Sequence, residues 1–165
     1  MAEHVIPINI AQPFVKAVSD ERLAAIALRV LEAEDVPPCE LSVTVTDDET
    51  VRGLNRKYAG EDAVTDVLSF SQREGESFVA APGSVPPLGD VVIAYPQALR
   101  QAQDRLPRQA EDPSTSSGRA DWSVEKEIER LLIHGTLHLL GYDHAEAEEE
   151  RRMRAREEEL LGAIG

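Results

Sequence analysis

The hydrophobic pattern of this chain switches between a helical and a strand period, with turn-forming residues at the changeovers. Between Asp20 and Glu34, Leu23, Ile26, Ala27, Val30 and Leu31 fall at i, i+3, i+4, i+7 and i+8, which predicts an amphipathic helix. Ser19 is placed to cap it, and Asp20 and Glu21 suit its positive end. Pro37-Pro38 closes that unit, and Leu41, Val43 and Val45 then alternate with Ser and Thr as in a half-buried strand. Thr46 and Glu49 form a T-x-x-E capping box, predicting a second helix through about Lys57. Further short strands are predicted at His4–Ile10, Val67–Phe70 and Asp90–Ala94, with Pro7 moving the first towards a sheet edge. No internal repeat is evident.

Two stretches carry neither period. Glu74–Leu88 holds Gly75, Pro82, Gly83, Pro86 and Pro87, and Asp104–Asp121 holds Pro107, Pro113 and the run Ser114 to Gly118. Small polar residues dominate the second, so 104–121 is expected to be a disordered insertion. Both lie between elements of one core and neither reads as a domain linker. Further on, Ala145–Glu159 contains seven Glu and four Arg, a net −3, and reads as a solvated helix with intrahelical pairing.

Length and composition narrow the class. With 165 residues, the natural count is one domain, 1–165, able to bury a core without disulfides. The lone Cys39 excludes an internal disulfide framework, fits a reducing compartment and is read as a structural thiol. No segment approaches the roughly 18 apolar residues of a membrane span. The N-terminal residues lack the features of a secretory signal, so a cytoplasmic location is expected. Thirty-one acidic against 17 basic residues, a net charge of −14, argue against generic nucleic-acid binding through a basic surface. They do not exclude an enzyme acting on nucleic acid, which needs only a local field at its site.

The chemistry concentrates after Trp122, itself read as a core anchor. Val124, Ile128, Leu131, Leu132 and Leu139 describe the buried face of a helix, and His134 and His138, four apart, border that face. Gly141 suits a left-handed exit from the helix, after which the chain can turn back and bring His144 towards the other two. Three of the four histidines thus fall within eleven residues as H-x3-H-x5-H, a set suited to Zn²⁺ with an open fourth position. His4 is read as an ordinary edge-strand residue. The spacing also matches the metzincin peptidases, but their general-base Glu after the first His is replaced by Gly135. Peptide hydrolysis is therefore disfavoured.

The segment His134-Gly-Thr-Leu-His138-Leu-Leu-Gly-Tyr-Asp-His144 resembles the signature of the YbeY family of metal-dependent endoribonucleases and rRNA maturation factors. Leu54-Asn55-Arg-Lys-Tyr58 through Thr65-Asp66-Val-Leu-Ser-Phe70 resembles a second hallmark of that family, and Leu88-Gly-Asp90-Val-Val-Ile93 its next strand. The resemblance implies a single α+β domain with a mixed sheet of about four strands packed with helices. It implies one Zn²⁺ on His134, His138 and His144. It further implies cleavage of single-stranded RNA, with roles in 16S rRNA 3′-end maturation and ribosome quality control.

From the residues, a metal held there could polarise a phosphoryl oxygen, with either water or the RNA 2′-hydroxyl as nucleophile. Asp143 is the one carboxylate inside the motif: a candidate general base, read first as orienting a histidine or capping the next helix. Asp66 and Ser69 are read as holding the strand beneath the site, and Tyr142 as packed at the helix turn. Arg52, Arg56 and Lys57 form a local cationic cluster that offers phosphate contacts or simply a solvated face. In the family an arginine serving RNA cleavage follows the second block's tyrosine. Here that position is Ala59, and Arg56 or Lys57 is the candidate substitute. Two further readings stand beside the nuclease. One is a ribosome-associated factor with a structural metal site, its acidic surface suiting basic small-subunit proteins; the other is the disfavoured metallopeptidase.

Overall fold

The stripe from Leu23 to Leu31 builds the first helix, and burying it against a sheet sets the architecture. The computed structural model describes residues 3–71, 85–105, 123–142 and 146–164. Four strands and five helices follow one another: β1 (Ile8–Ile10), α1 (Asp20–Ala33), β2 (Glu40–Thr46), α2 (Asp48–Ala59), β3 (Val67–Ser71), β4 (Pro87–Ala94), α3 (Tyr95–Arg105), α4 (Val124–Leu139) and α5 (Ala147–Ile164). A 3₁₀ turn at Gln12–Phe14 lies between β1 and α1. The sheet order is β1-β2-β4-β3; β1, β2 and β4 run parallel and β3 pairs antiparallel to β4. This is the α+β domain with a mixed four-stranded sheet that the sequence predicts.

Alternation along the strands divides the core into two layers. On β4, Val91 and Ile93 join the main core with Leu41, Val43 and Val45 of β2 and the buried faces of α1 and α4. Val92 and Ala94 face the other way and form a small second cluster with Val51 of α2, packed by Leu54, Leu68 and Phe70. One sheet face therefore carries α1, α4 and α5, while α2 covers the other near the β3 edge.

Several predicted boundaries move for identifiable reasons. β1 is regular only from Ile8, with Val5 making an isolated parallel bridge to Glu40. β4 begins at Pro87, within the stretch read as a loop, because Glu40 to Thr46 extend the pairing down to that residue. The cap of α2 is Asp47 rather than Thr46. The Asp47 carboxylate accepts from the Thr50 N–H at 2.8 Å, whereas Thr46 is buried and still pairs with Ala94 in the sheet. α3 is absent from the pattern because its fully buried side chains among the described residues are only Ala98 and Ala102, with Tyr95 partly buried and Leu99 exposed. Asp104 and Arg105 close α3, so the first two residues of the expected insertion are helical; 106–121 lie outside the described residues. Trp122 lies outside them as well.

The cap at Asp47 gives a measurable expectation. Its hydrogen bonds to Thr50, side chain first, hold its carboxyl below the ordinary value of 3.8. A depressed folded-state pKa contributes stability above the unfolded value, and that stability is lost as pH falls through the folded one. Asp47→Ala should lower stability by about 1 kcal/mol at neutral pH. The gap to wild type should narrow below pH 3.8 in denaturant titrations, and Asp47→Asn should show little of either effect.

Candidate active site

α4 is the central helix of the main layer, buried on most of its circumference from Glu127 to Leu137. Ser123 caps it by accepting from the Lys126 N–H. It approaches the sheet closely at Gly135, where an added Cβ would stand 2.9 Å from Val91 Cγ1 and 3.0 Å from Ser69 Oγ. Ser69 Oγ donates to the Gly135 carbonyl at 3.0 Å, tying strand to helix there. The residue that breaks the metzincin pattern therefore points at β3 and β4, and a glutamate side chain would have no space.

His134 and His138 lie on the face of α4 turned towards the β3 edge. They line one cavity of about 370 Å³ together with Thr65, Asp66, Val67, Leu68 and Ser69. Each ring is held through Nδ1. That of His134 is hydrogen-bonded to the Glu157 carboxylate of α5, and that of His138 donates to the Tyr142 carbonyl at 3.1 Å. The second bond follows from the helix exit: Gly141 adopts φ 104°, a left-handed conformation that lets the chain fold back over the last turn. His144 and Asp143 lie outside the described residues. Among the described residues no three His, Cys, Asp or Glu side chains form a metal-holding group.

Asp66 is fixed from three sides. Oδ1 accepts from the Val67 N–H at 2.8 Å and from the Thr65 hydroxyl at 3.4 Å, and Oδ2 accepts from Gln101 Nε2 at 3.1 Å. Asp66 and Ser69 thus hold β3 in place, as read from the sequence, while also lining the histidine cavity.

The cationic cluster on α2 divides. Arg52 is paired with Asp62, Nε to Oδ1 at 2.7 Å, and that carboxylate is held below its ordinary pKa by the bond. Lys57 Nζ lies 5.1 Å from the centroid of the Tyr58 ring. No hydrogen bond or ion pair engages Arg56 among the described residues. Arg56 and Lys57 are thus the cations of this helix without an ion pair among the described residues.

On the far side of α4, Tyr142 donates its hydroxyl to Glu34 at 3.0 Å, and Arg156 Nε donates to the same carboxylate at 2.8 Å. Burial and the Glu34 bond raise the Tyr142 pKa, and Glu34 raises that of Arg156. Tyr142 is thus packed at the helix turn as expected. Cys39 is buried, and its N–H donates to His4 Nδ1 at 3.2 Å, so His4 closes the sheet edge locally.

Two residues escaped the sequence reading. Glu157 belongs to a run read as solvated, yet it is 8% exposed. Its signal was present: Met153, Glu157 and Leu160 fall at i, i+4 and i+7, placing a carboxylate on the stripe of α5 that is buried among the described residues. Gln101 gave no signal, because nothing in its neighbourhood announced α3.

The molecule is thus an α+β domain with a cavity at the sheet edge walled by paired, anchored histidines. The family model for Endoribonuclease YbeY matches residues 8–165, and the chain belongs to that family. It is similar to the Endoribonuclease YbeY of Geobacillus kaustophilus (strain HTA426), 44% identical over 149 residues, covering 88% of this chain and 84% of the relative. That of Roseiflexus castenholzii (strain DSM 13941 / HLO8) is 37% identical over 166 residues, covering 99% and 95%. The solution structure of TM1509 from Thermotoga maritima shares the fold, with a TM-score of 0.58 at 20% identity over 97% of this chain and 89% of that one. As an endoribonuclease family member the chain falls among hydrolases acting on RNA. No described helix is long and apolar enough to cross a membrane.

Proposed function

We propose that the chain is a zinc-dependent endoribonuclease specific for single strands. It would act in the cytoplasm on ribosomal RNA, in 16S 3′-end maturation and ribosome quality control. The observation that carries the metal assignment is the pair of imidazoles four residues apart on one cavity wall, each with Nδ1 engaged by an oxygen acceptor. That is the chemistry of a backed zinc ligand, in which an outer oxygen fixes the ring's tautomer and orientation and raises its basicity. The two rings would then hold the metal through Nε2, with His144 as the proposed third donor.

Bound there, zinc supplies Lewis acidity that stabilises negative charge developing on a phosphoryl group. The chain's own residues do the rest. Glu157 and the Tyr142 carbonyl hold the two rings, and Asp66 and Ser69 fix the strand that forms the opposite wall. Arg56 or Lys57 would supply phosphate-side positive charge in place of the family's arginine at the position of Ala59, with Arg52, paired to the exposed Asp62, on the same helix. Asp143, beside His144, is proposed to orient that ligand.

Cleavage of a labelled single-stranded RNA tests the reading. The zinc-loaded protein should cut it, chelation should stop cutting and zinc should restore it, and His138→Ala should cut no faster than buffer while keeping its circular dichroism spectrum. Cleavage that survives both chelation and His138→Ala would overturn the proposal. The runner-up is a ribosome-associated factor with a structural zinc site. It is favoured by the net charge of −14, and it predicts binding to small-subunit proteins without RNA cleavage.

A further inference from the structure

Tyr58 is the most exposed large hydrophobic side chain among the described residues, at 61%. It continues the buried stripe of α2, four and seven residues beyond Leu54 and Val51, yet it buries only part of its ring. That part leans on Phe70 of β3, with centroids 5.2 Å apart and planes at 59°. Its hydroxyl has no hydrogen-bond partner among the described residues. Neither core packing nor a polar anchor accounts for leaving this ring in solvent. The two residues that follow, Ala59 and Gly60, end the helix and offer no side chain to cover it.

The surroundings identify an occupant. Lys57 Nζ sits against the Tyr58 ring, and Arg56 beside it carries no ion pair among the described residues. In so acidic a chain, this aromatic ring has one cation over it and a second, Arg56, beside it on the same helix. It also adjoins the histidine cavity. β3 is an outer strand of the sheet, and Phe70, which supports Tyr58, is next to Ser69, which lines the cavity. Leu68 borders the cavity and also packs in the cluster under α2. β3 thus carries both the support of the ring and part of the cavity lining.

We infer that Tyr58 is a base-stacking platform on which a nucleotide of single-stranded RNA rests while the strand crosses the β3 edge into the histidine cavity, with Arg56 and Lys57 on its phosphates. The inference rests on the nuclease reading above and adds a subsite to it. A duplex keeps its bases stacked on each other and cannot use such a platform, so the ring also favours single strands.

The test is the affinity for a fluorescein-labelled oligouridylate, measured by anisotropy in the non-cleaving His138→Ala background. Tyr58→Ala should weaken binding roughly five- to a hundredfold. Tyr58→Leu, which keeps an apolar contact on Phe70 without a π-face, should weaken it similarly and guards against a folding defect. Tyr58→Phe and Tyr58→Trp should bind within about twofold of the parent. With His138 intact, Tyr58→Leu should raise KM more than it lowers kcat. Unchanged binding by Tyr58→Leu, or a loss in Tyr58→Phe equal to that in Tyr58→Ala, would overturn the platform while histidine-dependent cleavage left the nuclease reading standing. Failure of the wild-type protein either to bind or to cut single-stranded RNA would overturn both.

Discussion

Gly135→Glu, the single change that would complete a metzincin-type peptidase motif, is expected to unfold the domain. The new Cβ would stand 2.9 Å from Val91 Cγ1 and 3.3 Å from Val67 Cγ2, both on strands fixed by the sheet. Overpacking of that kind costs about 1–3 kcal/mol. The rest of the side chain would drive a carboxylate between α4 and β3 with no Lys or Arg to meet it among the residues described there. An unpartnered buried charge costs several kcal/mol more, even after its pKa adjusts. Together these approach the 5–15 kcal/mol by which a domain is ordinarily stable. Soluble yield and thermal melting followed by circular dichroism are the measurements. Gly135→Ala should lose much less, because it adds one methyl and gains about 1 kcal/mol of helix propensity. A well-folded Gly135→Glu protein melting near the wild type would contradict this packing, and casein digestion by it would restore the peptidase reading.

The second large effect is expected at Glu157. Its carboxylate backs His134 from α5 and is nearly buried, so it fixes both the tautomer and the orientation of that ring. Loss of such an outer partner typically lowers metal affinity 10–100-fold. Glu157→Ala should weaken zinc binding by that order in calorimetric or chelator-competition titrations. Glu157→Gln, which can still accept a hydrogen bond through its amide oxygen, should fall between. The metal-free melting temperatures of both variants separate this from general damage. Affinity unchanged in Glu157→Ala would reduce the residue to a packing role on α5.

What was legible in the sequence followed the strength of each local pattern. α1, β2 and the histidine helix carry clean periods with caps and turn residues that agree, and each appears as read. α3 was silent because it packs through alanines, whose small burial leaves little hydrophobic contrast. The cap of α2 slipped by one residue because Asp47 and Thr46 are both good caps, and only sheet pairing decides that Thr46 is occupied. At the site, helical spacing alone brings His134 and His138 to one cavity wall. Glu157, Gln101 and the Tyr58–Phe70 contact depend on how distant elements meet, which a one-dimensional pattern does not encode. The meaning of Gly135 also changed with the third dimension. In the sequence it was a missing base; in the fold it is the point at which the histidine helix touches the sheet.

The bond between Glu157 and His134 also fixes an order of events during synthesis. Twenty-three residues separate the two, and the neighbouring cluster joins Glu34 to Tyr142 and Arg156 across 108 and 122 positions. A chain leaving the ribosome exposes β1, β2 and α1 first and both histidines later, but the carboxylate that steadies His134 arrives only with α5. A nascent chain lacking α5 thus carries His134 without the carboxylate that orients its ring. α5, in sequence a run of solvated charge, is thus the segment that orients a cavity histidine.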